Sequence, residues 1–117
     1  MNDLIRAYTE ERDGRYTFCV VGHAGYATPG EDIVCAAASA ITYTLAALMD
    51  EMTDHELIAM VDQKLEPGNT VLSAEVTEEA RKRFEEATRF FEIGFLMLSE
   101  AYPSYICYSG QCLDINT

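Results

Sequence analysis

Residues 3–9 (DLIRAYT) alternate in part between apolar and polar, and residues 16–21 (YTFCVV) do so again after Asp13-Gly14. Alternation with period two marks a strand with one buried face, and Asp-Gly is a strong signal for a tight hairpin. The chain is therefore predicted to open with a β-hairpin whose turn lies within 10–15, with Cys19 as a small core hydrophobe. A loop over 22–31 follows, with Gly22, Gly25, Pro29 and Gly30. Asp32 is placed to cap a helix running from 33 to about 51, which puts Cys35 at its third position. Alanine occupies nearly every face of the first half of this helix, a pattern that predicts burial all round. After a polar connection over 50–56, residues 57–65 and 70–76 read as a second hairpin about the turn EPGN at 66–69. Its register is open, because the first of these runs begins with five consecutive apolar residues. Thr77 then caps a second helix with Glu78 and Glu79 in its first turn, where the helix dipole favours acids. Ala80, Phe84, Ala87, Phe91, Phe95, Leu98 and Tyr102 form its apolar stripe, and Gly94 beside the stripe marks a close contact. The opposite face (Arg81, Lys82, Glu85, Glu86, Arg89, Glu92) is solvated surface, and Pro103 ends the helix. Residues 105–108 read as a last short strand, and 109–117, without a packing pattern, as a mobile tail.

The order is β-β-α-β-β-α-β. It predicts one α+β domain over 1–117, with a mixed or mainly antiparallel sheet packed with two helices. At 117 residues the chain can build such a core without disulfides or metal.

Composition narrows the functional classes. The net charge is −12, with only eight Lys and Arg in all, so direct nucleic-acid binding is not expected. An acidic surface suits a basic partner, and it equally serves solubility. The most apolar run, 33–49, is 17 residues long and includes Ser39, Thr42 and Thr44. That is short of the roughly 20 residues a membrane span needs, so a buried helix and no membrane association are expected. Charged residues interrupt any apolar segment at the N-terminus, which points to the cytoplasm, where thiols stay reduced. Cys19, Cys35, Cys107 and Cys112 lack the paired short spacings of a zinc module, so neither a metal nor a cofactor is expected. His55 sits among charged neighbours and reads as an ordinary exposed histidine.

The chemistry concentrates in 22–40 (GHAGYATPGEDIVCAAASA). His23 lies in a glycine-bounded loop, and Cys35 follows twelve positions later at a helix start. Unpaired N–H groups and the dipole at a helix N-terminus lower a thiol's pKa, and an imidazole can take and return its proton. The N–H groups of the first turn, Cys35's own among them, are candidate donors for an oxyanion. Ser39, one turn beyond Cys35, faces the same way. Asp32 is either a cap or a partner for a histidine cation, and its charge would oppose a thiolate at Cys35 if it lay close to the sulfur. Against all this stands the plainer possibility of a buried free cysteine in an alanine-rich helix.

The segments Gly22-His23-Ala24-Gly25, Gly30, Asp32-Ile33-Val34-Cys35-Ala36 and Ser39-Ala40, with the His-to-Cys spacing of twelve, resemble the ribosomal-processing cysteine protease (Prp) family of small bacterial enzymes. The resemblance implies a cysteine endopeptidase that removes the N-terminal extension of a large-subunit ribosomal protein precursor. It makes Cys35 the nucleophile, His23 the general base and acid, and Asp32 and Ser39 supporting residues. It further implies a homodimer and a mobile active-site loop carrying Gly22, Gly25 and Gly30. An apolar groove for aromatic substrate residues is implied too, with Tyr26, Tyr43 and Met49 as candidate lining. Cys107 and Cys112 have no match in the family pattern.

Two other classes compete. One is a non-catalytic module in which the loop binds a peptide or a ribosome-assembly partner, and the other is a thiol redox enzyme in which Cys107 or Cys112 resolves Cys35. Selective alkylation of Cys35, lost with His23→Ala, separates the protease from the first; reversible oxidation of Cys35 marks the second.

Overall fold

Asp13 and Gly14 both take the left-handed backbone, at φ 52 and 87, the geometry of the tightest hairpin turn. The strands on either side are thereby drawn right up to the turn: β1 is Ile5–Arg12 and β2 is Arg15–Val21. The computed structural model, which describes residues 4–28 and 30–110, continues with α1 (Ile33–Asp54), β3 (Ile58–Glu66), β4 (Asn69–Val76), α2 (Arg81–Ala101) and β5 (Ile106–Gly110). This is the predicted order of elements.

The five strands form one mixed sheet in the order β3-β4-β2-β1-β5. Among the described residues only β1 and β5 run parallel, and the other three pairings are antiparallel. Both helices cover one face. Ile5 and Ala7 of β1, Tyr16 and Phe18 of β2, Leu72, Ala74 and Val76 of β4 and Ile106 of β5 alternate inward to meet them. From α2 come Phe84, Phe91 and Phe95, all essentially inaccessible. Phe91 meets Phe18 edge-on at 5.2 Å and Phe95 at 4.8 Å, and Phe95 stacks on Tyr108 of β5. These three rings are the largest fully buried side chains in the core. Gly94 lets α1 approach: a methyl there would lie 2.7 Å from Cδ1 of Ile41. The close contact expected at Gly94 is thus with α1.

Several local expectations are corrected. Helix α1 runs to Asp54, past the predicted end near 51, and it is not buried all round. Val34, Ala38, Thr42, Leu45, Ala46, Met49 and Met52 face the core, whereas Ile33, Tyr43 and several alanines are exposed. Met49 is fully buried in that stripe, so it lines no groove. By length and composition alone α1 could cross a membrane, yet one of its faces packs in the core. Helix α2 begins at Arg81, because Thr77 closes a turn through Ala80 N (3.2 Å to Oγ1) instead of capping the helix. Glu78 and Glu79 therefore precede its first turn.

Cys19 is buried on the sheet face away from the helices, outside the main core. There it faces its strand partner Tyr8. Its hydrogen bond and charge, with burial adding, push the Tyr8 hydroxyl up to about 12. The open register of the second hairpin resolves into a bulge between Met60 and Asp62, which re-aims the apolar run. The last strand extends through Ser109 and Gly110, two residues into the predicted tail; 111–117, with Cys112, lie outside the described residues, as does residue 3 of the predicted first strand. Cys107 is exposed, and His55 is exposed as expected, at the C-cap of α1.

Candidate active site

The predicted cap is present. Asp32 has an extended backbone, and its Oδ1 accepts from Cys35 N at 2.9 Å. Its Oδ2 accepts from the N–H groups of Tyr26 (3.0 Å) and Ala27 (3.3 Å). One buried carboxylate thus ties the helix start to the loop before it. Burial opposes its charge, but the three backbone N–H groups outweigh that and hold its pKa below the ordinary carboxylate value. Among the described residues no hydrogen bond or ion pair joins Asp32 to His23.

The loop leaves β2 through Gly22 at φ 98, where any Cβ would fall 2.3 Å from the carbonyl oxygen of Leu4. Gly22 N donates to Gly68 O at 2.9 Å, so the loop is tied to the β3–β4 turn. Gly25 and Gly30 also have positive φ. Farther along, the ring of Tyr26 meets Tyr105 at 5.1 Å and Tyr102 at 5.7 Å, both edge-on. These rings lie where α2 turns into β5, and they seat the loop from behind.

His23, Cys35 and Ser39 open into one cleft of about 180 Å³, shared with Tyr43, Glu66, Gly68 and Thr70. Its floor and sides include Ile5, Val20, Ala38 and Thr42. Of the groove candidates, Tyr43 lines this cleft; Tyr26 is turned toward Tyr102 and Tyr105. Cys35 is half-buried and His23 exposed. Sγ of Cys35 accepts from Ala24 N at 3.4 Å, and among the described residues no hydrogen bond joins it to the His23 imidazole.

The thiol's environment corrects an expectation. Burial pushes the Cys35 pKa up, the Asp32 carboxylate beside it pushes the same way, and the Ala24 N–H pulls back only in part. The cysteine at this helix start is therefore held protonated, above its ordinary value. The N–H of Cys35, expected among the oxyanion donors, is engaged by Asp32. Among the described residues no three His, Cys, Asp or Glu side chains gather to hold a metal.

One wall of the cleft escaped the sequence reading. The EPGN turn was legible as a turn, but nothing in its residues says that β4 pairs with β2. That pairing sets Asn69 opposite Val21 and delivers Glu66, Pro67 and Gly68 beside His23.

The family model for cysteine protease Prp matches residues 4–107. Among solved structures, SMU.848 from Streptococcus mutans is similar at 22% identity and a TM-score of 0.67, over 93% of this chain and 95% of that one. The essential ribosomal processing protease Prp from S. aureus with a covalently linked product peptide is 18% identical, with a TM-score of 0.69 over 92% and 100% of the two chains. The same protease with a substrate peptide is 17% identical, at a TM-score of 0.62 over 92% and 100%. No curated protein matches the sequence.

Proposed function

The chain belongs to the cysteine protease Prp family, and from that premise we propose that it is a Cys-His endopeptidase removing the N-terminal extension of a large-subunit ribosomal protein precursor. One observation carries the reading: Cys35, from a helix start, and His23, from a loop on the adjoining strand, open into the same cleft.

In the proposed reaction His23 takes the Cys35 proton as sulfur attacks the scissile carbonyl. The charge developing on the carbonyl oxygen meets the Ala24 N–H, already 3.4 Å from Sγ. The imidazolium gives its proton to the leaving amine, which departs with the downstream chain. Water, deprotonated by His23, then hydrolyses the thioester and returns the thiol. Asp32 acts as a positioning residue through the backbone it holds, and Ser39 faces the same cleft one turn along α1. A resting thiol above its ordinary pKa fits a dyad completed by substrate, because apo contacts of this kind tighten in the complex.

The net charge of −12 favours a basic precursor, and the proposed setting is the cytoplasm, where that precursor is made. The proposed state is a homodimer. Ile93, Leu96 and Met97 on α2 are 44%, 43% and 65% exposed, and Ile33 on α1 is 54% exposed, an apolar surface suited to a second subunit.

The protonated thiol equally suits a non-catalytic peptide-binding module, so the test must separate the two. Mass spectrometry of the protein mixed with the extended precursor is expected to show one cut within the extension, absent with Cys35→Ala and with His23→Ala. Binding without cleavage under reducing conditions favours the module, and a cut that survives Cys35→Ala refutes the assignment of the nucleophile.

A further inference from the structure

We propose that Gly68, in the β3–β4 turn, is a positioning residue for His23: its missing side chain makes the space in which the imidazole lies. This rests on the Cys35–His23 reading and extends it to an element far away in sequence. Three observations carry it. A methyl on Gly68 would fall 2.4 Å from Nε2, 2.7 Å from Cε1 and 3.2 Å from Cδ2 of His23, so the tip of the ring lies against the Gly68 α-carbon. The carbonyl of Gly68 accepts the N–H of Gly22, the residue before His23, at 2.9 Å. The turn therefore ties the backbone that carries the imidazole and borders the ring itself. Gly68 also has φ 74, a conformation that glycine adopts without strain.

The neighbour a Cβ would strike is the end of an exposed, rotatable side chain and not backbone. Alanine strains the turn backbone at φ 74, and the imidazole is what must move to clear its methyl. A displacement on the order of 1 Å at a reacting group costs about 100-fold in rate.

The experiment compares Gly68→Ala with Gly14→Ala, which imposes a similar backbone strain at φ 87 in the β1–β2 turn. Gly14 lies at the far end of the sheet, since Arg15 pairs with Glu75 and Val21 with Asn69. At equal folded fraction, Gly68→Ala is expected to lower kcat for precursor cleavage about 100-fold with KM little changed, and Gly14→Ala to leave both unchanged. Full kcat in Gly68→Ala at equal folded fraction overturns the proposal.

The wild-type protein supplies a measurement that survives misfolding of the variant. A nuclear Overhauser effect between the Gly68 α-protons and His23 Hε1 is expected, and its absence refutes the placement. If His23→Ala itself cleaves normally, the dyad reading falls, while that proton contact still reports whether Gly68 sets the ring.

Discussion

Asp32 shows how much one side chain can decide. Its carboxylate opposes ionisation of the thiol it helps to place, because it lies against Cys35 while holding that residue's N–H. Asp32→Asn removes the charge and keeps one capping oxygen, so the midpoint of Cys35 alkylation by iodoacetamide, followed against pH, is expected to move down. A midpoint that stays or rises would mean that burial alone sets the thiol. The same residue predicts an acid effect on stability. A carboxyl with a pKa lowered by folding stabilises the native state above its unfolded value, and that contribution is lost as pH falls through the folded value. The stability gap between wild type and Asp32→Asn, read by urea titration, is therefore expected to be widest near neutral pH and to close in acid. The Asp-to-Cys spacing of three was enough to foresee the cap. That the Asp32 charge would oppose the thiolate followed from the same spacing; the burial that raises the thiol pKa further was not legible, because it depends on how the loop over 22–31 folds back on the sulfur.

Among the elements, the two hairpins and the α2 stripe were readable from period and turn chemistry, since Asp13-Gly14, Pro67-Gly68 and the aromatic spacing each act locally. Ends were harder: α1 overran its predicted end by one turn, and Thr77 closed a turn ahead of α2. Burial all round α1 was wrong because alanine carries no information about which face meets a partner. The α2 stripe sets the cost of disrupting the core. Phe95 is fully buried between Phe91 and Tyr108, so Phe95→Ala is expected to lose about 3–5 kcal/mol in thermal or urea unfolding. The seat of the loop is a lighter attachment. Tyr26 is 42% exposed, and Tyr26→Ala gives up two edge-on contacts, each worth about 0.5–1.5 kcal/mol. Limited proteolysis is expected to cut within 22–31 faster in this variant while the melting temperature of the domain changes little; unchanged cutting would show that the loop's hydrogen bonds hold it without the ring.

At the scale of the whole molecule, the helix layer covers one sheet face and turns an apolar strip of its own to solvent. Met97→Glu puts a charge in that strip without entering the core, since Met97 is 65% exposed. Sedimentation is expected to show a wild-type dimer reduced to monomer by the substitution, with the circular dichroism spectrum unchanged. A variant that sediments as the wild type does would move the contact elsewhere. Strand order is the part of the architecture that was not legible. Alternation shows which residues face the core but not which strands are neighbours, and the parallel β1–β5 pair joins residues about a hundred positions apart.

That parallel edge also imposes an order of events. Tyr102 and Tyr105, the rings behind Tyr26, come later in the chain than Cys35, His23 or Gly68, and Tyr105 O receives the Ile5 N–H at 2.9 Å where β1 meets β5. A growing chain therefore exposes its thiol and imidazole long before the support for the loop between them has been synthesised. Closing so distant a pair is the slow kind of folding step. Completion of the cleft's surroundings is thus tied to translation of β5, and a chain arrested before residue 102 carries Cys35 and His23 without the rings behind Tyr26.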